Sequence, residues 1–340
     1  MKGMKARKYL RLLPVAMLVL ALGACDNDND DLVGNWKSRS DFDGYARNSA
    51  ASFVLDGKGY ICGGYKSTKP YRLGDLWEYN PVTNSWEQRA DCPGALRNSA
   101  VGFAAGGKGY YGTGYNENDE YLKDFWEYDP ATNTWTELAA EFPGSARHSA
   151  LAFSLKGKGY VGTGYDDNYL KDFYCYDPAT ASWSQVTGYG GSKRYGGSVF
   201  TIGNTAYIVC GSNSQGYTRD LWAFDADKNT WTEKRKIADV SDENYDNDYN
   251  IVRSFGVAFS VGDHGYVTTG TNGTLRTDTW EYDPVTDLWE EKTSFEGLAR
   301  EQAVSFSING RGFVATGKSS SNRFDDLWEF LPNDEYDEYD

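Results

Sequence analysis

The sequence predicts an all-β fold, a six-bladed β-propeller closed by an N-terminal strand that completes the last blade. Three observations carry that prediction. Arg47, Arg97, Arg147, Arg194, Arg253 and Arg300 each stand 17 residues before a Gly that ends an apolar run: Gly64, Gly114, Gly164, Gly211, Gly270 and Gly317. Tyr79, Tyr128, Tyr176, Phe224 and Tyr282 each stand seven residues before a Trp. The last unit ends at Phe330-Leu331-Pro332 without its Trp, while Trp36 lies 11 residues before the first Arg, as Trp86, Trp183 and Trp289 lie before theirs. Repeats of about 50 residues with a Gly and aromatic signature are the sequence mark of propeller blades.

Taken in chain order, residues 1–24 form an address. Lys2, Lys5, Arg7, Lys8 and Arg11 precede an uncharged run of 13 residues, Leu12 to Ala24. A spanning helix needs ~20 apolar residues, so this run fits a secretory signal peptide. It ends Leu22-Gly23-Ala24-Cys25, which resembles a bacterial lipobox, and Cys25 is the expected lipidation site. Residues 25–31 are an acidic tether; the run after Cys25 resembles the signals that Bacteroidetes-type bacteria use to move lipoproteins to the cell surface. The expected location is therefore the bacterial outer membrane, held by the lipid alone, with the surface favoured over the periplasm. Cleavage removes five cations and no anion, taking the formal charge from −15 to −20.

Residues 32–332 are the propeller. Each unit reads as four short strands. Strand A follows the Arg, as in Ala50–Leu55; a Gly-rich turn leads to strand B, as in Gly59–Cys62. Strand C carries Leu-Trp-Glu-Tyr or its equivalent, and strand D carries the Trp. The strands are β-branched and aromatic, turn clusters separate them, and no helical period is present. Residues 32–40 are a strand D without a blade, and unit six is a blade without a strand D. Joining them closes the ring and removes the need for capping repeats. Residues 333–340 are an acidic tail.

The paired small residue and Gly that end strand B (Gly63-Gly64, Thr113-Gly114), the Tyr and the Trp seven residues on resemble the Kelch repeat family, over residues 32–332. The resemblance implies a galactose oxidase central-domain-like propeller; its functions range from oxidase and epimerase to adaptor and receptor. Tyr174 in place of the strand-C Trp of blade three, and Cys210 in place of the first Gly of blade four, depart from the pattern.

Aromatics make up 16% of the chain and 38 residues are Gly, which excludes a disordered chain. The acidic balance, 49 Asp and Glu against 34 Lys and Arg, argues against nucleic acid as a partner. With two His in all, no His-built metal site is expected, and no cofactor. Cys62, Cys92, Cys175 and Cys210 fall in different blades and are expected as free, mostly buried thiols. The eleven Trp recur with the repeat and are expected to pack blade against blade.

Length variation is confined to one face. The spacings that contain the A–B and C–D turns never change, whereas those that contain the B–C and D–A loops do; Trp231 to Arg253 spans 22 residues against 11 or 12 elsewhere. Binding sites are built on variable loops over a rigid scaffold. The N-terminal strand begins on the constant face, so a lipid on Cys25 turns the variable face away from the membrane.

The candidate ligand-binding residues lie on that variable face. Arg47, Arg97, Arg147, Arg194, Arg253 and Arg300 are expected around the mouth of the central channel, as donors to carboxylates. The alternative is that each pairs with a repeated acid: Asp75, Asp124, Asp172, Asp220, Asp278 or Asp326. Beside the arginines stand Asn48, Asn98, His148, Tyr195, Ser254 and Glu301. The B–C loops add Tyr65, Tyr71, Tyr115, Tyr121, Tyr165, Tyr169 and Tyr217, and a stacking plane with polar neighbours suits a sugar. The loop Asp239–Val252 holds Asp242, Glu243, Asp246 and Asp248 without the spacing of an established Ca²⁺ site.

No residue set reads as catalytic. His148 and His264 are expected on opposite faces, so no copper oxidase centre can be assembled, and Glu301 is the only acid/base candidate. The reading that results is a monomeric, lipid-anchored binding module for an acidic sugar, a glycan or a partner protein. Two alternatives remain: a sugar enzyme resembling the six-bladed sialic acid epimerases or mutarotases of Gram-negative bacteria, and a structural subunit of an envelope complex.

Overall fold

The computed structural model describes residues 32–238, 249–337 and 339. The signal peptide, Cys25 and the acidic tether therefore lie outside the described residues, as do positions 239–248 of the long D–A loop. The six repeats form six four-stranded antiparallel blades. Blade one comprises Ala51–Leu55, Lys58–Tyr65, Arg72–Asn80 and Ser85–Arg89. Blade six comprises Val304–Ile308, Arg311–Ala315 and Leu327–Leu331, with Asn35–Ser38 as its outer strand.

The constant seven-residue spacing has a direct cause. In every blade the strand-C aromatic lies directly opposite the strand-D Trp: Tyr79 opposite Trp86, Tyr128 opposite Trp135, Tyr176 opposite Trp183, Phe224 opposite Trp231 and Tyr282 opposite Trp289. Their ring centroids are 4.8–5.1 Å apart. Phe330 and Trp36 make the sixth such pair, at 4.7 Å. In three blades the Tyr hydroxyl also donates to the turn residue five positions on: Asn84, Asn133 and Asp287. One residue more or fewer in this turn would break both contacts.

Ring closure is a packed seam. Trp36 is fully buried, with its indole N–H donating to the Thr293 carbonyl of blade five. Just after the strand, Arg39 donates to Glu329 Oε2 at 2.6 Å, and Arg311 also pairs with this buried carboxylate. Burial opposes ionisation of Glu329, but the two guanidinium groups outweigh it and hold the carboxyl below its ordinary range.

Adjacent blades meet through strand-A phenylalanines that fit over glycines of the next blade. A Cβ on Gly109 would come within 2.4 Å of the Phe53 ring, and one on Gly159 within 2.0 Å of Phe103. The four cysteines are free and buried, as expected. Strands A line a central channel of about 370 Å³, with small and hydroxyl residues such as Ser52, Gly102, Ser154 and Ser305 on its wall.

Candidate functional site

The repeated arginines occupy a different place from the one expected of ligand donors. All six are fully buried. Each meets the acid at the start of strand C in its own blade: Arg47 with Asp75, Arg97 with Asp124, Arg147 with Asp172, Arg194 with Asp220, Arg253 with Asp278 and Arg300 with Asp326, at 2.5–2.7 Å. Nη1 also donates to the carbonyl at the end of strand B, for example Gly63, Thr113 and Thr163, and Nε to the carbonyl two residues earlier. Every donor group is thereby turned inward. The expectation of an exposed arginine ring at the channel mouth is corrected: the guanidinium groups lie beneath the surface, and the pairing alternative describes them.

Burial alone would raise the carboxyls of Asp124, Asp220 and Asp278. Their arginines, with hydrogen bonds to each acid, overcome this and hold all three below the usual carboxylate range. In four blades the strand-C Trp N–H bonds the paired acid: Trp77 to Asp75, Trp126 to Asp124, Trp280 to Asp278 and Trp328 to Asp326. The Arg, Asp, Trp and Gly of the repeat are therefore one structural unit. The Gly belongs to it through its backbone: Gly114 N–H donates to the Arg147 carbonyl of the next blade, and a Cβ there would lie 2.8 Å from the Asn98 carbonyl.

Two residues after each Arg the chain turns through positive φ, at Ser49, Ser99, Ser149, Gly196, Phe255 and Gln302. These six residues form a closed circuit in which each N–H donates to the carbonyl of its counterpart in the preceding blade, at 2.7–3.1 Å. The circuit draws the blades together around the axis at the variable face, where a small pocket of about 140 Å³ remains.

Outside this circuit the two groups of blade-specific residues come together. The residue after each Arg pairs by backbone with the start of its own B–C loop: Asn48 with Tyr65, Asn98 with Tyr115, His148 with Tyr165, Tyr195 with Ser212, Ser254 with Thr271 and Glu301 with Lys318. In blades two to five this assembles a continuous arc of half-buried rings. Tyr115, Tyr121 and Tyr165 surround His148 with centroids 5.2–5.7 Å away. Tyr165 meets Tyr169 at 5.2 Å, Tyr169 meets Tyr195 at 5.5 Å, and Tyr195 meets Phe255 at 5.2 Å.

Polar groups edge the arc. His148 Nδ1 lies 3.0 Å from Ser149 Oγ, and burial holds the imidazole below its ordinary pKa, against the pull of Asp167. The ring is neutral near pH 7. Tyr121 donates to Asp167 at 3.0 Å; partial burial and that carboxylate push the phenol up to about 12. At the other end the buried Arg72 lies 4.7 Å over the Tyr115 ring and bonds Asn98 Oδ1 and Asp119 Oδ1.

A model of the Attractin/LZTR1 β-propeller family matches residues 35–280. The chain belongs to this family. Among solved structures YjhT is similar, with a TM-score of 0.69 and 17% identity over 85% of this chain and 95% of that one. At that identity the likeness speaks for the fold alone. The curated proteins include no match.

Within this Attractin/LZTR1-type propeller, the remaining candidates fall as follows. His264 begins strand B of blade five, beside the A–B turn, so the two histidines stand at opposite ends of the blades. Glu301 is ion-paired with Lys318 at 3.0 Å, which occupies the acid/base candidate. No cluster of three or more metal-ligating side chains occurs among the described residues. Sequence reasoning missed Arg72, Lys66 and Arg323. No local signal set them apart, because the B–C segments of the other repeats also carry cations, such as Lys123, Lys171, Arg219 and Arg276.

Proposed function

We propose that this propeller is a glycan-binding module and that its site is the aromatic arc of blades two to five. The observation that carries the reading is the continuous arc from Tyr115 to Phe255, a set of rings confined to one sector of the variable face. Such rings offer planes for the apolar faces of sugars, while Asn98, His148 and the tyrosine hydroxyls supply hydrogen bonds at the edge. The arc belongs to no repeat-wide motif, which separates it from the Arg–Asp–Trp unit.

The reading places the protein outside the cytoplasm, lipidated at Cys25, with the arc turned away from the membrane. The geometry at the first described residues supports that direction. Val33 lines one cleft with Gly262, Asp263 and His264 of the A–B turn of blade five, on the constant face.

The experiment is a glycan array probed with the full chain, followed by titration of the best saccharide into Tyr165→Ala. Binding that falls by at least ~10-fold, the value of one lost ring contact of about 1.4 kcal/mol, supports the site. An array with no bound saccharide, neutral or acidic, overturns the reading.

A further inference from the structure

We propose that the seam between blades six and one carries an anion subsite, formed by Lys66 and Arg323, that receives the carboxylate or sulfate group of an acidic saccharide. The inference rests on the glycan reading for the rest of its ligand, but the subsite stands on separate observations.

The first is a charge imbalance inside an acidic protein. Nine lysines and arginines are buried among the described residues: Arg47, Lys66, Arg72, Arg97, Arg147, Arg194, Arg253, Lys292 and Arg300. Eight of them have a carboxylate oxygen within 4.0 Å, and Lys66 does not. It is 8% exposed, and its ammonium rests 4.0 Å from the centroid of the Tyr45 ring. A buried charge without a counter-charge is costly, and a ring face offsets only part of that cost.

The second is Arg323, which faces the same space and also lacks a carboxylate partner among the described residues. Its guanidinium lies 4.9 Å over the Tyr65 ring. Nη1 is engaged by Ser67 Oγ and the Ser321 carbonyl, while Nε is buried with no acceptor. The third observation is the space itself. A cleft of about 370 Å³ is lined by Tyr45, Lys66, Ser67, Thr68, Asn322 and Arg323, so both cations share it with hydroxyl and amide groups. None of its lining residues is acidic.

The cleft connects with the arc through named contacts. Arg323 covers Tyr65, which stacks on Tyr71 at 5.8 Å with planes 6° apart. Tyr71 is followed in the chain by Arg72, which covers Tyr115, the first ring of the arc. A saccharide lying along this path sets sugar faces on rings and an acidic substituent between two cations. A free oxyanion fits the cleft alone, because a small anion needs only the charge and the donors.

The test uses the full chain and four probes: oligogalacturonate for carboxylate, a sulfated galactan oligosaccharide for sulfate ester, neutral galacto-oligosaccharide, and inorganic sulfate. Wild type is expected to bind at least one acidic saccharide about 10-fold or more tightly than the neutral one, with the difference shrinking as salt rises. Lys66→Met and Arg323→Gln are each expected to remove most of that difference and leave neutral binding unchanged. Inorganic sulfate is expected to raise the melting temperature of wild type and not of Lys66→Met. Without anions, Lys66→Met is expected to melt at or above wild type, since it removes an unpaired buried charge. If acidic and neutral sugars bind equally, or if both variants keep the acidic preference, the subsite is wrong while the glycan reading stands. If sulfate protects only wild type and no saccharide binds, the subsite stands and the glycan reading falls.

Discussion

The Arg–Asp pairs and the aromatic arc are built at the same end of the blades, and in nearly opposite ways. The six arginines are the same in every repeat, fully buried, and saturated by an acid, a strand-B carbonyl and a local carbonyl. The arc residues are not shared by all six blades, are half-buried, and lie at the surface of one sector. In a ring of repeats, a side chain present in every blade is positioned by the geometry that every blade shares, which is the interior. A side chain absent from some of the blades is free of that demand. Its chemistry is therefore the better guide to a ligand.

The comparison can be broken most severely at the ring itself. Deleting residues 32–40 removes Trp36 and Arg39 and leaves Glu329 with one guanidinium. Loss of a buried Trp costs about 3–5 kcal/mol and an exposed pairing edge adds to it, against a total stability of about 5–15 kcal/mol. Thermal unfolding of the deletion is expected to show loss of the cooperative transition or a melting temperature lower by at least about 5 °C. A normal transition would mean that blade six holds without its fourth strand.

One step smaller is the removal of one repeated arginine. Arg147→Met leaves Asp172 facing a buried, uncompensated site, and breaking such a pair costs about 3–5 kcal/mol. Chemical denaturation is expected to show that loss, while saccharide affinity of the folded fraction stays within about twofold. Arg147→Lys is expected to recover little, because an ammonium cannot span Asp172 and the Thr163 carbonyl as the planar guanidinium does.

On the arc the pattern inverts. Tyr121→Ala and Tyr165→Ala are expected to change stability by no more than about 1 kcal/mol, since both rings are only half-buried, and to weaken saccharide binding by about 10-fold each. Calorimetric titration beside thermal unfolding of the same samples checks both numbers.

The smallest expected effect is in pH. Asp124, Asp220 and Asp278 have depressed carboxyl pKa values in the fold, so their stabilisation is complete above the ordinary carboxylate range. It is lost as pH falls through their lower folded values, giving a decline in stability below about pH 4. His148 is depressed as well: between its folded value and its ordinary value near 6.5, the unfolded chain binds the extra proton and stability declines as pH falls. His148→Gln is expected to flatten that shallow slope near pH 6 and leave the acid limb intact. A wild-type profile that is already flat there would show that the ring is not held neutral by its neighbours.

The scaffold was largely legible in the sequence, because invariant spacing is a direct image of paired geometry. The seven residues from Tyr79 to Trp86 are the length of a turn that sets two rings opposite each other, and Trp36 could be assigned by that arithmetic alone. The same regularity concealed what the arginines do. Spacing places a guanidinium at a strand end without telling whether it faces water or Asp75, and only packing decides. The aromatic arc was half legible: its tyrosines were visible in the B–C loops, and His148 and Tyr195 as blade-specific residues beside the arginines. Their assembly rests on backbone pairing between the residue after each Arg and the start of each B–C loop, which no local pattern announces. Lys66 and Arg323 were invisible as a pair, because 257 residues separate them and only the closed ring makes them neighbours.

The central claim is that ligand contact lies in the arc and stability in the arginines. Its most direct test is a single titration series with one array-selected saccharide on the full chain, Tyr121→Ala/Tyr165→Ala and Arg147→Met, each with its melting temperature. The account predicts that the tyrosine double variant loses at least ~10-fold in affinity at nearly unchanged melting temperature, while Arg147→Met melts early and its folded fraction binds as wild type does. Retained binding in the tyrosine double variant, with binding lost in a fully folded Arg147→Met, would contradict it.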